Sequence, residues 1–181
     1  MKRPLTEVYG TQIDNHSRMC GACQGDIGHR FVLVVYALLT RLIHTFPHVA
    51  FQHSASGGGR FDMGMLYFTS EIWCSDNTDA LARLKIQYGT SLAYPARCIA
   101  SHVSAVPNHI TGNMTRAKCR VMVAMSASYG YELDLHQCTS VELNLFQECS
   151  YKYLNLAPII RDGDFYRLWD PFKSSFCAWM Y

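Results

Sequence analysis

The chain has 181 residues, of which 49% are hydrophobic and 17% are charged. This composition supplies enough apolar side chains for one packed core and argues against a disordered tail. The 16 basic and 14 acidic residues give a formal net charge of +2 and are spread along the chain, so no basic stripe points to nucleic acid or to anionic lipid.

The amino-terminal part of the sequence predicts a long helix and lacks the pattern of a signal peptide. Residues 1–20 interleave charged and polar side chains and contain no signal-peptide core, which predicts a cytoplasmic location. From Ile27 to Phe46 apolar residues recur at steps of three and four, as on a helix with a broad buried face, and Pro47 stops it. The apolar run Phe31–Leu39 is about half the roughly 20 residues that a membrane span needs. We therefore expect a core helix and no membrane partner.

Shorter segments then alternate between strand and helix. The apolar patterns predict strands over residues 48–53, 71–75, 99–104 and 131–135, with helices from about 78, over 115–126, and from 139. Thr139 and Glu142 have the spacing of a capping box, and Pro158 marks the expected limit of that last helix. Because parallel neighbours need a crossover that is usually a helix, the alternation predicts an α/β fold with a parallel sheet. After residues 161–164, Phe165–Trp169 alternates like a strand, and a second, truncated domain is expected to begin there.

The most informative run for function is Trp73–Arg83, at the junction between a predicted strand and the next helix. It places Asp76, Asp79 and an arginine at the carboxyl end of a strand, where α/β active sites form. Either aspartate is also suited to cap the helix, and capping and catalysis are not exclusive. A carboxyl group in this position can hold or release a proton beside a substrate where burial keeps it protonated.

Several other groups have both a functional and a structural interpretation. The glycines at 57–59 lack either phosphate-loop pattern, so they indicate a turn or a close backbone approach to a neutral ligand such as a sugar, on which Trp73 could stack. Cys20 and Cys23 have redox or zinc spacing, but no second pair of that spacing exists, and we expect reduced thiols, no metal and no cofactor. His102 and His109 flank a proline-containing loop and either line a pocket or are structural.

Seven segments, in order and over nearly the whole chain, resemble glycoside hydrolase family 36, the bacterial-type α-galactosidases. The matching stretches are residues 4–9, 24–30, 56–62, 73–83, 86–90, 102–109 and 163–167. A run of the type Ser-Asp-x-x-Asp-x-x-x-Arg alone is moderate evidence for this family. Together with the glycine loop and the Val-Ser-Ala-Val-Pro-Asn run, it is strong evidence.

The resemblance implies a (β/α)₈ TIM barrel that hydrolyses terminal α-linked galactose with retention of configuration. It identifies Asp76 as the acid/base and Asp79 as a supporting neighbour. The chain then corresponds to the C-terminal half of the barrel, residues 1–160, followed by the start of a C-terminal β domain, residues 161–181. Its implied partners are a galactose-containing oligosaccharide, the missing N-terminal half of the barrel and further copies of the same protein. Resemblance also points to substrate binding by Lys2, Ser54, Ala55, Ser56 and Gly57.

The family's nucleophile is the aspartate of a Lys-Trp-Asp-Met-Asn-Arg run, and this chain matches only its Met-x-Arg end, at residues 1–3. The nucleophile is therefore expected before Met1. Lys2 replaces the family's asparagine, and Ser54 replaces a cysteine that contacts the sugar in relatives. A lysine beside the nucleophile adds positive charge where galactose hydroxyls are bound, whereas serine retains a small donor and acceptor. A non-catalytic remnant or a carbohydrate-binding or assembly protein is the alternative function.

Overall fold

The computed structural model describes residues 24–54 and 62–181. Helices and strands alternate over most of this range, as the apolar periodicity predicts. In chain order the elements are α1 (Gln24–Thr45), β1 (Gln52–Ser54), α2 (Met65–Phe68), β2 (Glu71–Trp73), α3 (Ala80–Thr90), β3 (Ala100–Ser104), α4 (Ala117–Ala124), β4 (Ser128–Glu132), α5 (Ser140–Asp162), β5 (Tyr166–Trp169) and β6 (Ala178–Met180), with short 3₁₀ turns at Ala96–Cys98 and Leu135–Gln137.

The first four strands are parallel and lie in the order β1-β2-β3-β4. β1 pairs with β2 over three residues and β3 pairs with β4 over five, whereas β2 and β3 meet at a single bridge between Ile72 and Ile99. Their carboxyl ends therefore lie at one edge of the sheet, as the sequence predicts. The strand predicted over 131–135 forms earlier, at Ser128–Glu132, because its register is set by the pairing of Ser128 with Ala100.

The core lies between β3 and the helices that follow it. Val103, Val121, Ala124, Phe146 and Cys149 form one buried cluster from β3, α4 and α5. Side chains alternate between the faces of a strand, so the neighbours of Val103 on β3 point to the other face of the sheet. We call that other face, on the side away from α4 and α5, the inner face.

The capping box of α5 is confirmed, but its predicted end is wrong. The Thr139 hydroxyl accepts from the Glu142 amide at 3.3 Å, and the Glu142 carboxylate accepts from the Thr139 amide at 3.1 Å. The helix continues past Pro158 to Asp162. A proline inside a helix costs about 3 kcal/mol, and packing of the buried Ile160 together with a bond from Arg97 to the carbonyl of Arg161 holds the last turn.

The prediction of a buried face on α1 is wrong within the described chain. The helix forms and ends before Pro47 as expected, but no described segment covers most of its apolar side chains. The exposed apolar residues of α1 are Phe31, Val32, Leu33, Val34 and Leu38. With a mean hydropathy of 1.3 over Asp26–Thr45, the helix also meets the length and composition of a membrane span, a test that core helices of soluble proteins pass as well.

The inward face of α3 is polar rather than apolar. Its buried side chains are Ala80, Arg83 and Gln87, whereas Leu81, which has helical spacing with Leu84, is exposed. Gln87 donates to Ser126 and to the carbonyl of Val123, and it accepts from the hydroxyl of Ser101 at 2.8 Å. Apolar periodicity misses this face because a buried polar side chain with satisfied hydrogen bonds leaves no apolar signal.

Beyond α5 the chain forms an antiparallel pair of strands, β5 and β6, as the alternation after residue 164 predicts for β5. The pair is joined to the α/β part by side chains. Arg167 donates to the hydroxyl of Ser91 at 3.0 Å, Tyr181 donates to the carbonyl of Ser126, and Phe172 packs edge-on against Tyr88.

We expect the isolated 181-residue chain to self-associate at micromolar concentration. Within the described residues the outer edges of β1 and β4 pair with no other strand, and α1 exposes an apolar face. Unpaired strand edges and apolar patches both promote association. Light scattering across a dilution series should show oligomers or aggregates, and a monomer that melts cooperatively would contradict this expectation.

Candidate active site at the carboxyl ends of the strands

Asp76 lies in the loop that follows β2, three residues after Trp73, and its side chain is exposed. It accepts no hydrogen bond from any residue within 24–54 and 62–181. The burial that we expected around a general acid is therefore not provided by the described part of the chain. Asp76 is instead exposed, in the loop after the carboxyl end of β2.

Asp79 is buried and plays a different part from Asp76. Its carboxylate accepts from the Asn113 amide at 2.7 Å and from the Thr115 hydroxyl at 3.4 Å. Asp79 occupies the N-cap position of α3 by backbone conformation, but its side chain makes no capping bond. The capping interpretation is thus wrong for the side chain, because the loop after β3 supplies better placed donors. Asp79 fixes one loop to another.

A second set of hydrogen bonds fixes the segment that carries Asp76. Ser104, at the end of β3, donates to the carbonyl of Thr78 at 2.8 Å, and the Asn108 amide donates to the Thr78 hydroxyl at 3.1 Å. Nearer to Asp76, the backbone N–H of Asn77 donates to the hydroxyl of Ser75 at 3.2 Å. The loop after β2, which carries the exposed Asp76, is therefore hydrogen-bonded to the end of β3 and to the loop that follows it.

Of the predicted substrate-binding residues, the structure describes Ser54 alone. Ser54 ends β1, is exposed, and pairs in register with Trp73 on the neighbouring strand. Ser54 therefore lies beside Trp73 at the carboxyl ends of the two strands, and Asp76 follows Trp73 by three residues. The other four predicted residues lie outside the described ranges: Lys2, Ala55, Ser56 and Gly57.

His102 lies on the inner face beside Trp73, with 4.8 Å between the two ring centroids. Burial lowers the pKa of His102, which favours the neutral ring. The ring lies against Gly130 of β4, where a Cβ atom would come within 2.6 Å of it. A side chain at 130 would therefore require the ring of His102 to shift. His109, by contrast, is exposed in the loop after β3.

The inner face also carries a polar group that sequence reasoning missed. The carboxylate of Glu71 accepts from the side-chain amide of Gln52 at 2.7 Å and from the hydroxyl of Ser128. Glu71 is two residues before Trp73 and so shares its face of the strand, which is the signal that could have identified it. This group links β1, β2 and β4.

One cleft in the described part of the chain lies away from these groups. It has a volume of about 620 Å³ between α4 and α5, and its lining includes Lys118, Met122, Glu148 and Lys152. No two carboxyl groups face each other across it, so it does not resemble a glycosidase site.

The described cysteines and metal-ligating side chains form no further centre. Six described cysteines are free thiols: Cys74, Cys98, Cys119, Cys138, Cys149 and Cys177. Within residues 24–54 and 62–181 no three histidine, cysteine or acidic side chains converge as a metal site would require. Cys20 and Cys23 lie outside the described ranges.

Comparison with known proteins relates the chain to α-galactosidases. The family model described as Melibiase matches residues 1–163. Alpha-galactosidase 1 of Pediococcus pentosaceus is 45% identical over all 181 residues, and Alpha-galactosidase AgaA of Geobacillus stearothermophilus is 41% identical over the same length. In both cases the aligned region is 24% of the relative, so the chain spans about a quarter of the length of these relatives.

Solved structures give the same result. A crystal structure of GH36 α-galactosidase AgaA from Geobacillus stearothermophilus in complex with raffinose matches 85% of this chain with a TM-score of 0.83 and 44% identity, over 21% of its own chain. The galactosidase domain of the α-galactosidase-sucrose kinase AgaSK matches 86% of this chain with a TM-score of 0.83 and 42% identity, over 22% of its own chain.

Proposed function

The chain belongs to the Melibiase family, and from that premise we propose that it is the acid/base-bearing portion of a retaining α-galactosidase. The observation that carries the proposal is the position of Asp76. It is an exposed carboxylate in the loop after a parallel strand whose last residue, Trp73, pairs in register with Ser54, in a chain 44% identical to a structure determined with raffinose.

We propose further that residues 1–160 form half of a (β/α)₈ barrel and that residues 161–181 begin a C-terminal β domain. The contact between Glu71 and Ser128 supports the barrel, because these residues lie on strands β2 and β4, about 9–10 Å apart in a flat sheet. Ser128 pairs in register with the small, fully buried Ala100, so the hydrogen bond crosses β3, and a sheet that is concave on its inner face favours this contact. Such curvature is what a closed barrel needs.

In the proposed reaction, Asp76 first donates a proton to the glycosidic oxygen while a second carboxylate attacks the anomeric carbon. Asp76 then accepts a proton from the water that hydrolyses the glycosyl-enzyme intermediate. The nucleophile is assigned to a segment outside these 181 residues, together with the rest of the barrel. Ser54, Ala55, Ser56, Gly57 and Lys2 are proposed to contact the galactose.

The test is the hydrolysis of raffinose and of 4-nitrophenyl α-galactoside by three samples. They are the 181-residue chain alone, the chain mixed with the region that precedes the matching segment in the Pediococcus relative, and a hybrid in which these 181 residues replace that segment. We expect no activity from the chain alone and activity from the hybrid, because retaining hydrolysis requires both carboxylates.

The unaltered Pediococcus protein is the positive control for the hybrid. A hybrid that folds but hydrolyses neither substrate would contradict the proposal and favour the alternative of a non-catalytic remnant or carbohydrate-binding protein. Lys2→Asn would then be the first substitution to examine, because Lys2 places a charge beside the assigned nucleophile position.

A further inference from the structure

Arg83 of α3 fills a gap between strands β2 and β3. These strands share one bridge, between Ile72 and Ile99, and are not paired beyond it toward their carboxyl ends. Arg83 is only 3% exposed, and its guanidinium lies in this gap. It donates to the carbonyl of Ala100 on β3 and, at 3.4 Å, to the carbonyl of Ser75 after β2. One side chain thus replaces the ladder bonds that the two strands lack.

The same guanidinium holds the indole of Trp73. Its central carbon lies 4.9 Å from the centroid of the Trp73 ring, and one of its terminal nitrogens is 3.5 Å from the sulfur of Cys74. Trp73 also contacts the ring of His102. The orientation of the indole is therefore determined by two neighbours, and Arg83 contacts both the ring and the two residues that follow it.

The direction of the guanidinium is itself fixed from α3. Its Nε donates to Gln87 Oε1 at 3.2 Å, and the same oxygen accepts from Ser101. No carboxylate in the described chain forms an ion pair with Arg83, in contrast to Arg120 of α4, which pairs with Glu142 at 2.6 Å. A buried cation without an ionic partner is costly. Its retention is explained by the fork of donors that arginine provides to several acceptors at once.

We propose that Arg83 is a positioning residue for the proposed acid/base: it braces the end of β2 and thereby sets the direction in which Asp76 is presented to the glycosidic oxygen. Asp76 follows directly on Ser75, whose carbonyl Arg83 holds. This inference rests on the proposed function. It assigns to Arg83 an effect on proton donation that acts through Asp76, without contact between Arg83 and substrate.

The test compares two substrates in the hybrid protein. Raffinose has a poor leaving group that must be protonated, whereas 2,4-dinitrophenolate departs from its α-galactoside without a proton. Because kcat/KM reports the steps up to the first irreversible one, this comparison isolates proton donation to the leaving group. A misplacement of a reacting group by about 1 Å lowers the rate by up to about 10²-fold. Arg83→Lys should therefore lower kcat/KM for raffinose by about 10- to 100-fold, and kcat/KM for the dinitrophenyl substrate should change by less than about threefold.

Arg167→Lys is the control for the loss of an arginine fork. Arg167 donates to the hydroxyl of Ser91, just after α3, and is not part of the hydrogen bonds that hold the Asp76 loop. Any general loss of structure should lower kcat/KM for both substrates by the same factor. If Arg83→Lys fails to fold, Gln87→Met removes the acceptor that orients the guanidinium and should change the substrate ratio in the same direction.

Equal losses for both substrates in Arg83→Lys, or no loss for either, would overturn the inference while leaving the proposed function intact. A folded wild-type hybrid that hydrolyses neither substrate would instead overturn the proposed function, and the inference with it.

Discussion

In the active hybrid, Asp76→Asn should lower kcat for raffinose by about 10²- to 10⁴-fold, the range that positioned acid–base groups supply. Asparagine retains the shape and polarity of the side chain but can neither donate the proton that the leaving sugar needs nor accept one from water. Initial rates on raffinose measure the loss, and the rate of the first 2,4-dinitrophenolate release should be largely retained, because that leaving group needs no acid.

Two variants control for this result. Asp164→Asn removes the same charge from an exposed position outside the site and should leave the rates of hydrolysis of both substrates unchanged. Asp79→Asn alters a buried carboxylate that accepts from Asn113 and Thr115, so it should loosen the support of the Asp76 loop and lower raffinose hydrolysis by less than Asp76→Asn does. Undiminished hydrolysis of raffinose by Asp76→Asn would assign the acid/base role to another residue.

The second large effect concerns stability, and it arises from the ion pair between Arg120 and Glu142. Arg120 is 3% exposed at its side chain and Glu142 is 25% exposed, and the two lie 2.6 Å apart. Glu142→Gln should lower the local free energy of opening around β3 and α5 by about 2–3 kcal/mol. Breaking a fully buried pair costs roughly 3–5 kcal/mol, and the expected loss is smaller here because water reaches Glu142. Native-state hydrogen exchange of the hybrid, read at amides of these elements, measures it.

The same pair makes a prediction about pH. The backbone amide of Thr139, followed by its hydroxyl and Arg120, lowers the pKa of Glu142 below its ordinary value of 4.5. A carboxyl whose folded pKa lies below its unfolded pKa contributes stability above the unfolded value and loses it as pH falls through the folded value. The difference between wild type and Glu142→Gln should therefore be full at pH 7 and shrink below about pH 4.5.

Glu148→Gln is the matched control on the same helix. Glu148 pairs with Lys152 at 2.5 Å, but both side chains are 61% exposed. Exposed helix pairs contribute little to stability, so hydrogen exchange should not change measurably. If Glu148→Gln caused a loss as large as that of Glu142→Gln, the effect could not be attributed to the burial of Arg120.

The order and type of most elements were accessible from sequence, because each depends on local patterns. The steps of three and four from Ile27 to Phe46, the capping box at Thr139 and the alternation after residue 164 all predict what the structure contains. The short helix α2 was missed, since four residues carry no measurable period. Pro158 gave the wrong end for α5, because packing around Ile160 outweighs the local cost of proline.

For the candidate site, sequence motifs alone selected Asp76 and the neighbouring Asp79, and they related the chain to a family of glycosidases. These motifs did not show which of the two aspartates is buried and which is exposed. The structure does so: the loop after β3 reaches Asp79 through Asn113 and leaves Asp76 exposed at the rim. Which carboxylate is buried depends on donors 34 residues away in sequence, and no local pattern contains that information.

The sequence by itself therefore determined the α/β class, the alternation of elements, the capping of α5 and the choice of candidate carboxylates, because these follow from periodicity, capping chemistry and motif spacing. Tertiary structure alone decided the registers of the strands, the polar inward face of α3 and the gap that Arg83 fills. Each of these depends on long-range partners such as Ala100 and Ser101, whose hydrogen bonds satisfy polar groups that a linear pattern would assign to solvent.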